Sequence, residues 1–182
     1  MAKVDVSESR SIVSNTHNGL RIEIPAKKNW FLILFLGFWL VGWLFGEISV
    51  LTILLMPKEG EAPTLFLIAW LGGWTVGGAF AIYAWAWNVF GKEVVEVNFH
   101  ELALKKVVGN IKRSKEFDLA HVKDIRVQPS QHSMWSSRGG MEFWGISGGT
   151  IAFDYGHSTH KFAVNLDEAE AKYLIEKIEA RL

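Results

Sequence analysis

The sequence predicts a membrane α+β protein, with a two-helix transmembrane hairpin inserted in, or next to, a seven-stranded antiparallel β-domain closed by a C-terminal helix. Three observations predict it. Two long apolar runs, "WFLILFLGFWLVGWLFGEISVLTILL" and "LFLIAWLGGWTVGGAFAIYAWAWNVF", are separated only by "MPKEGEAP". Short segments of alternating apolar and polar residues recur from Gly91 onward, and once before Trp30. The chain then ends on an amphipathic stretch, "DEAEAKYLIEKIEARL".

Each apolar run is long enough to cross a hydrocarbon layer about 30 Å thick, which takes about 20 helical residues. Seven of the nine Trp lie between Trp30 and Trp87, where Lys58 is the only Lys or Arg. A polar turn this short forces the two helices to run antiparallel. Arg21, Lys27 and Lys28 precede the hairpin, and Lys92, Lys105 and Lys106 follow it. Positive residues favour the cytoplasmic side, so both termini are expected there, in an inner-membrane, multi-pass arrangement with residues 57–63 outside. The polar first 29 residues carry no cleavage pattern, so the first helix reads as an anchor.

Gly42 and Gly46 are four apart, as are Gly73 and Gly77, a spacing that lets membrane helices approach closely. With the turn centred near Gly60, antiparallel pairing sets Gly42 near Gly78 and Gly46 near Trp74, so the two glycine pairs face each other. Trp30, Trp85 and Trp87 fall near the cytoplasmic interface. Trp39, Trp43, Trp70 and Trp74 fall deeper, which calls for ring packing within the hairpin or against a partner. Glu47 is the one carboxylate of the first run, and the same pairing places it opposite Gly73, Trp74 and Thr75, where a Trp indole or a Thr hydroxyl could hydrogen-bond it. An intramembrane acid is by default an ion or proton site. The alternative is a helix that surfaces early, leaving Glu47 at a headgroup boundary; a single hairpin offers few polar groups for a transport path, which favours this second reading.

After Gly91, "VVEVNF" sets Val95, Val97 and Phe99 on one face. "LALKKVV" follows a turn at His100 and Glu101, and "GN" at 109–110 is a hairpin signal before "IKRSKEFDL". "HVKDIRVQ", "TIAFDY" and "HKFAVNL", the last two joined by a turn at "GHST", bring the count to six strands. "GLRIEIPA", with Leu20, Ile22 and Ile24 on one face, adds a seventh. In the final helix Asp167 is an N-cap with Glu170 three residues on, close to a capping box, and Ala171, Leu174, Ile175, Ile178 and Leu182 form one stripe. The expected boundaries are a flexible tail at 1–17, a first strand and approach to the membrane at 18–29, the hairpin at 30–90 with helices about 30–56 and 64–90, and a cytoplasmic β-domain at 91–182 with its helix at 167–182.

In "IEIPAKKNWF", "FGKEVVEVNFHELALKK" and "GTIAFDYG…KFAVNLDEAEA" the chain resembles the bacterial membrane-anchored proteins with PH-like (pleckstrin-homology-like) domains. The resemblance covers most of residues 18–182 and rests on pattern and element order. It implies a PH-like seven-stranded barrel held at the membrane as a binding or scaffolding module, without an established reaction.

Lys105, Lys106, Lys112, Arg113 and Lys115 cluster on one β-hairpin, a candidate site for anions or lipid headgroups if it comes near the surface; the plainer reading is a solvated, charged edge. The Gly- and Ser-rich stretch from 128 to 149 holds Trp135, Phe143 and Trp144, a candidate interface loop that touches membrane or partner, or folds onto its own domain. Gly145-Ile146-Ser147-Gly148-Gly149 matches a nucleophile elbow, but a strand rather than a helix follows it. His157 and His160 near Asp154 lack the further ligands that zinc takes. No cysteine is present and Lys plus Arg equals Asp plus Glu at 19 each. The expectations are therefore a non-enzyme with no metal and no cofactor, whose partners are the lipid bilayer and a protein or second copy, without nucleic acid.

Overall fold

A computed structural model describes residues 9–17, 19–56, 64–128, 144, 146 and 148–181. The chain forms two compact units, one of residues 28–89 and one made from the segments on either side of it.

The first unit is a pair of helices, α1 (Trp30–Leu55) and α2 (Thr64–Phe90). Asn29 starts α1: its Oδ1 accepts the Leu32 N–H at 3.2 Å, filling one of the donor positions that a helix start leaves open. Hydroxyls inside the apolar runs turn back on their own helices, Ser49 donating to the Phe45 carbonyl at 2.7 Å and Thr52 to that of Ile48 at 2.8 Å. Such back-bonding satisfies a polar group without a neighbour. Both helices are long and apolar enough to cross a membrane, and only 11% of the most apolar window of each is buried. Phe38 is 84% exposed and Leu65 83%. A helix of a soluble core would hide such side chains.

The second unit is α+β. β1 (Ile12–Thr16), β2 (Gly19–Pro25), β3 (Gly91–Asn98), β4 (Glu101–Val108) and β5 (Ile111–Asp118) form an antiparallel sheet in sequence order. β6 (Val122–Val127), β7 (Ile151–Tyr155) and β8 (Ser158–Phe162) form a second, and α3 (Glu168–Glu179) follows. The helical hairpin is inserted between β2 and β3, which pair from Gly19↔Asn98 to Pro25↔Lys92. The Ala26 N–H continues this ladder to the Gly91 carbonyl at 2.9 Å.

Alternation works as read in β2. Leu20, Ile22 and Ile24 are buried, and join Val95, Val97, Leu102, Phe117, Ile151, Phe153 and Phe162 in one core covered by Ala171, Leu174 and Ile178 of α3. Asp167 caps α3, its Oδ2 accepting the Ala169 N–H at 3.2 Å. Gly109, with φ of 55°, makes the β4–β5 turn, a conformation that costs glycine little.

Four expectations are corrected. The sheets do not close into a seven-stranded barrel: among the described residues eight strands form two ladders. A 3-10 turn at Leu119–His121, capped by Asp118 through the Ala120 N–H at 3.0 Å, redirects the chain so that β6 pairs with β7 rather than with β5. The tail expected to be flexible contains β1, paired with β2 from Ile12↔Glu23 to Thr16↔Gly19. Its polar composition suits an outermost strand. Phe99 does not extend the buried face of β3; it sits in the turn, 80% exposed. Glu170 does not close a capping box on Asp167, because its Oε1 accepts the Ser11 N–H at 2.6 Å and the Ser11 hydroxyl. The 57–63 turn and Leu182 lie outside the described residues.

Candidate functional site

The hairpin is held by indole rings. The Trp43 Nε1–H donates to the Trp74 carbonyl at 3.0 Å, and the Trp74 Nε1–H donates back to the Trp43 carbonyl at 3.5 Å. Trp85 donates to the Ile33 carbonyl at 3.1 Å. Trp70 stacks on Trp74 with centroids 4.7 Å apart, and Trp39 lies 6.0 Å from Trp74. Trp39, Trp43, Trp70 and Trp74 therefore pack within the hairpin, and the indole donors of Trp43, Trp74 and Trp85 are each satisfied by a backbone carbonyl.

The glycines act differently from the expected pairing. A Cβ at Gly78 would overlap the Trp43 ring, and one at Gly46 would lie 3.6 Å from Trp74 Nε1. A Cβ at Gly42, Gly73 or Gly77 would meet nothing within 4 Å. The contact is thus ring into glycine notch rather than glycine against glycine. Gly46 opposite Trp74 follows the antiparallel reading; the facing of the two glycine pairs does not.

Glu47 and Thr75 do meet. The Thr75 hydroxyl lies 2.6 Å from Glu47 Oε1 and 2.8 Å from the Leu71 carbonyl. Glu47 Oε2 is enclosed with no hydrogen-bond partner among the described residues.

In the β unit the sequence reading missed a buried carboxylate. Glu93, only 4% exposed, lies inside β3 beside the core. Its Oε2 accepts the N–H groups of Ala163 at 2.6 Å and Val164 at 3.2 Å. Its Oε1 lies 3.3 Å from Lys106 Nζ, which also donates to the Ile146 carbonyl at 2.7 Å. The same turn is gripped by Arg10 on the Val164 carbonyl at 3.0 Å and by the Thr150 hydroxyl on the Leu166 carbonyl at 3.0 Å. Ala163 and Asn165 have φ of 62° and 54°, which persists only where surroundings enforce it. Burial lowers the pKa of Arg10, against the opposing charges of Glu170 and Glu93. One signal existed in the sequence: positions 93, 95 and 97 share a face of β3, so Glu93 falls on the side of Val95 and Val97.

The opposite face of β2–β4 carries a line of ion pairs, Lys92–Glu23–Arg21–Glu96–Lys105. Hydrogen bonds from Lys92 and then Arg21 lower the Glu23 pKa. Lys105 and Lys106 are therefore committed to carboxylates, whereas Lys112, Arg113 and Lys115 are exposed on β5. The five cations do not form one patch.

Asp154 is held by Arg126 at 2.9 Å and by the Thr159 hydroxyl at 2.6 Å, and these bonds, Arg126 first, lower its pKa. Among the described residues no three metal-ligating side chains gather. His160 is partly buried on β8. It lies among Phe117, Phe153 and Tyr155, with centroids 4.6, 5.6 and 6.4 Å away. Burial, then the charge of Lys115, lowers its pKa from the ordinary 6.5. The unfolded chain then takes up this proton first, so stability falls as pH drops below about 6.5 and levels once the folded ring is also charged. A His160→Phe variant should lose that part of the pH dependence in denaturant titrations; an unaltered curve would show that His160 is not its source.

Of the interface loop, Trp144 is half-buried; Trp135 and Phe143 lie outside the described residues, as do Gly145 and Ser147 of the elbow pattern. Gly149, with φ of 155°, passes so close to the Phe162 backbone that a Cβ would collide with it, so this glycine serves chain packing.

Fold and site together define an α+β protein with a long apolar helix pair inserted between two paired strands. Comparison with protein-family models, curated proteins and solved structures finds no match for the chain.

Proposed function

We propose that this protein is a membrane-anchored binding or scaffolding module, in which the helix pair spans the cytoplasmic membrane and the β unit is a PH-like domain presented at the cytoplasmic surface, as an accessory subunit or a self-associating one. The observation that carries the reading is the insertion. The chain leaves β2 and returns to β3 at paired positions, and the described residues between them are chiefly two helices whose apolar side chains are mostly exposed. Exposed apolar area on that scale is stable against lipid, not water. The element order, strands β2–β8 and then α3, supports the PH-like reading, while the two sheets stay unclosed. The reading assigns no catalytic residue.

The chain has no native cysteine, so sidedness can be mapped with single cysteines. The protein should resist alkaline carbonate extraction. Glu59→Cys should react with an impermeant maleimide in intact cells, and Ser114→Cys only after permeabilisation. Release by carbonate would overturn the anchor, and labelling of Ser114→Cys from outside would overturn the orientation.

The Glu47–Thr75 contact favours a second reading, a small ion- or proton-coupled membrane protein using that acid. Its test is flux in proteoliposomes, which Glu47→Gln must diminish for this reading to stand.

A further inference from the structure

We infer that β5 is a docking edge that accepts an acidic, extended segment of a partner protein as an added strand. This rests on the binding role proposed above and gives it a location. β5 ends the five-stranded sheet and, among the described residues, pairs only with β4. Alternate residues of such a strand point their N–H and C=O groups away from the sheet, unpaired. Six consecutive residues, Ile111–Glu116, are exposed, and among the described residues no strand covers the outer edge. Only Phe117, opposite Leu102, reaches the core. Arg113 and Lys115 share its face opposite Lys106 and Leu104, yet remain exposed.

Charge selects the occupant. The nearby carboxylates are already engaged: Glu96 with Arg21 and Lys105, Glu93 with Lys106 and the turn amides, and Asp118 with the Ala120 N–H. Glu116 accepts from the Ser114 hydroxyl at 3.3 Å. Lys112, Arg113 and Lys115 have no ion pair or hydrogen bond among the described residues. A cationic edge repels a second copy of itself and favours a strand rich in Asp or Glu. The other outer strands, β1, β6 and β8, span five, six and five residues against eight in β5. Backbone bonding along that length would supply affinity, and the three cations would supply selectivity.

The test uses the full chain in nanodiscs of zwitterionic lipid and a labelled synthetic peptide alternating glutamate with valine. The peptide should bind saturably and slow hydrogen exchange at alternate β5 amides. N-methylation of its amides should weaken binding about tenfold or more, and the triple variant Lys112→Glu, Arg113→Glu, Lys115→Glu should abolish it. Equal binding of the N-methylated peptide would reduce the interaction to simple charge and overturn strand addition. So would absence of β5 protection by the peptide, or protection appearing only with anionic lipid, which would assign the edge to headgroups. Carbonate extraction reports on the anchor independently, so failure of one reading is distinguishable from failure of the other.

Discussion

Replacing Glu93 by alanine is expected to destabilise the β unit by about 2–4 kcal/mol, chiefly the cost of leaving two buried amides without an acceptor. Two groups lose their acceptor at once, the Ala163 and Val164 N–H groups, and the Lys106 ammonium loses its ion-pair partner. The turn they hold carries two non-glycine residues at positive φ, so nothing local restores it. Glu93→Gln keeps an acceptor for the amides and should lose less. Adding Lys106→Met to Glu93→Ala should recover the part due to the stranded ammonium and leave the part due to the amides. Denaturant unfolding followed by circular dichroism, with hydrogen exchange in β7 and β8, separates the variants. A loss below about 0.5 kcal/mol for Glu93→Ala, the range of ordinary surface changes, would show that the carboxylate does not hold the turn.

Gly78→Val is expected to cost the helix pair about 1–3 kcal/mol, the range for overfilling a packed site. The new side chain would occupy the volume of the Trp43 ring, and displacing that ring also breaks its bond to the Trp74 carbonyl. Gly77→Val, where an added Cβ meets nothing within 4 Å, is the matched control and should be close to neutral. Adding Trp43→Ala to Gly78→Val should return part of the loss by vacating the same space. Indole fluorescence during titration from mild detergent into SDS reads the helix pair, and unfolding of the β unit should be unchanged. Equal losses from Gly77→Val and Gly78→Val would mean that the ring-and-notch contact does not set the packing.

Much of the architecture was legible because it is written in local periodicity. Leu20, Ile22 and Ile24 alternate in a strand that buries that face, and Asp167 caps the helix it precedes. β1 was missed because an outermost strand needs no buried alternation; its Ser, Asn and Thr read equally well as a solvated tail. The glycine notch was half legible. Antiparallel counting brought Gly46 to Trp74, but which glycine receives a ring depends on helix rotation, and Gly78 rather than Gly77 takes Trp43. The basic cluster was read as a unit of five, yet the fold pairs two of its members with Glu93 and Glu96.

By itself the sequence determined the two apolar helices, their antiparallel sense, the strand faces and the terminal helix, since each follows from the spacing of apolar residues along one stretch of chain. Only the tertiary structure decided that the sheets stay separate, that Glu93 is buried, and that among the described residues the β5 cations have no ion pair. Those outcomes rest on partners far apart in the chain, Glu93 and Ala163 among them. Their meeting depends on the register and packing of whole elements, which no local pattern encodes.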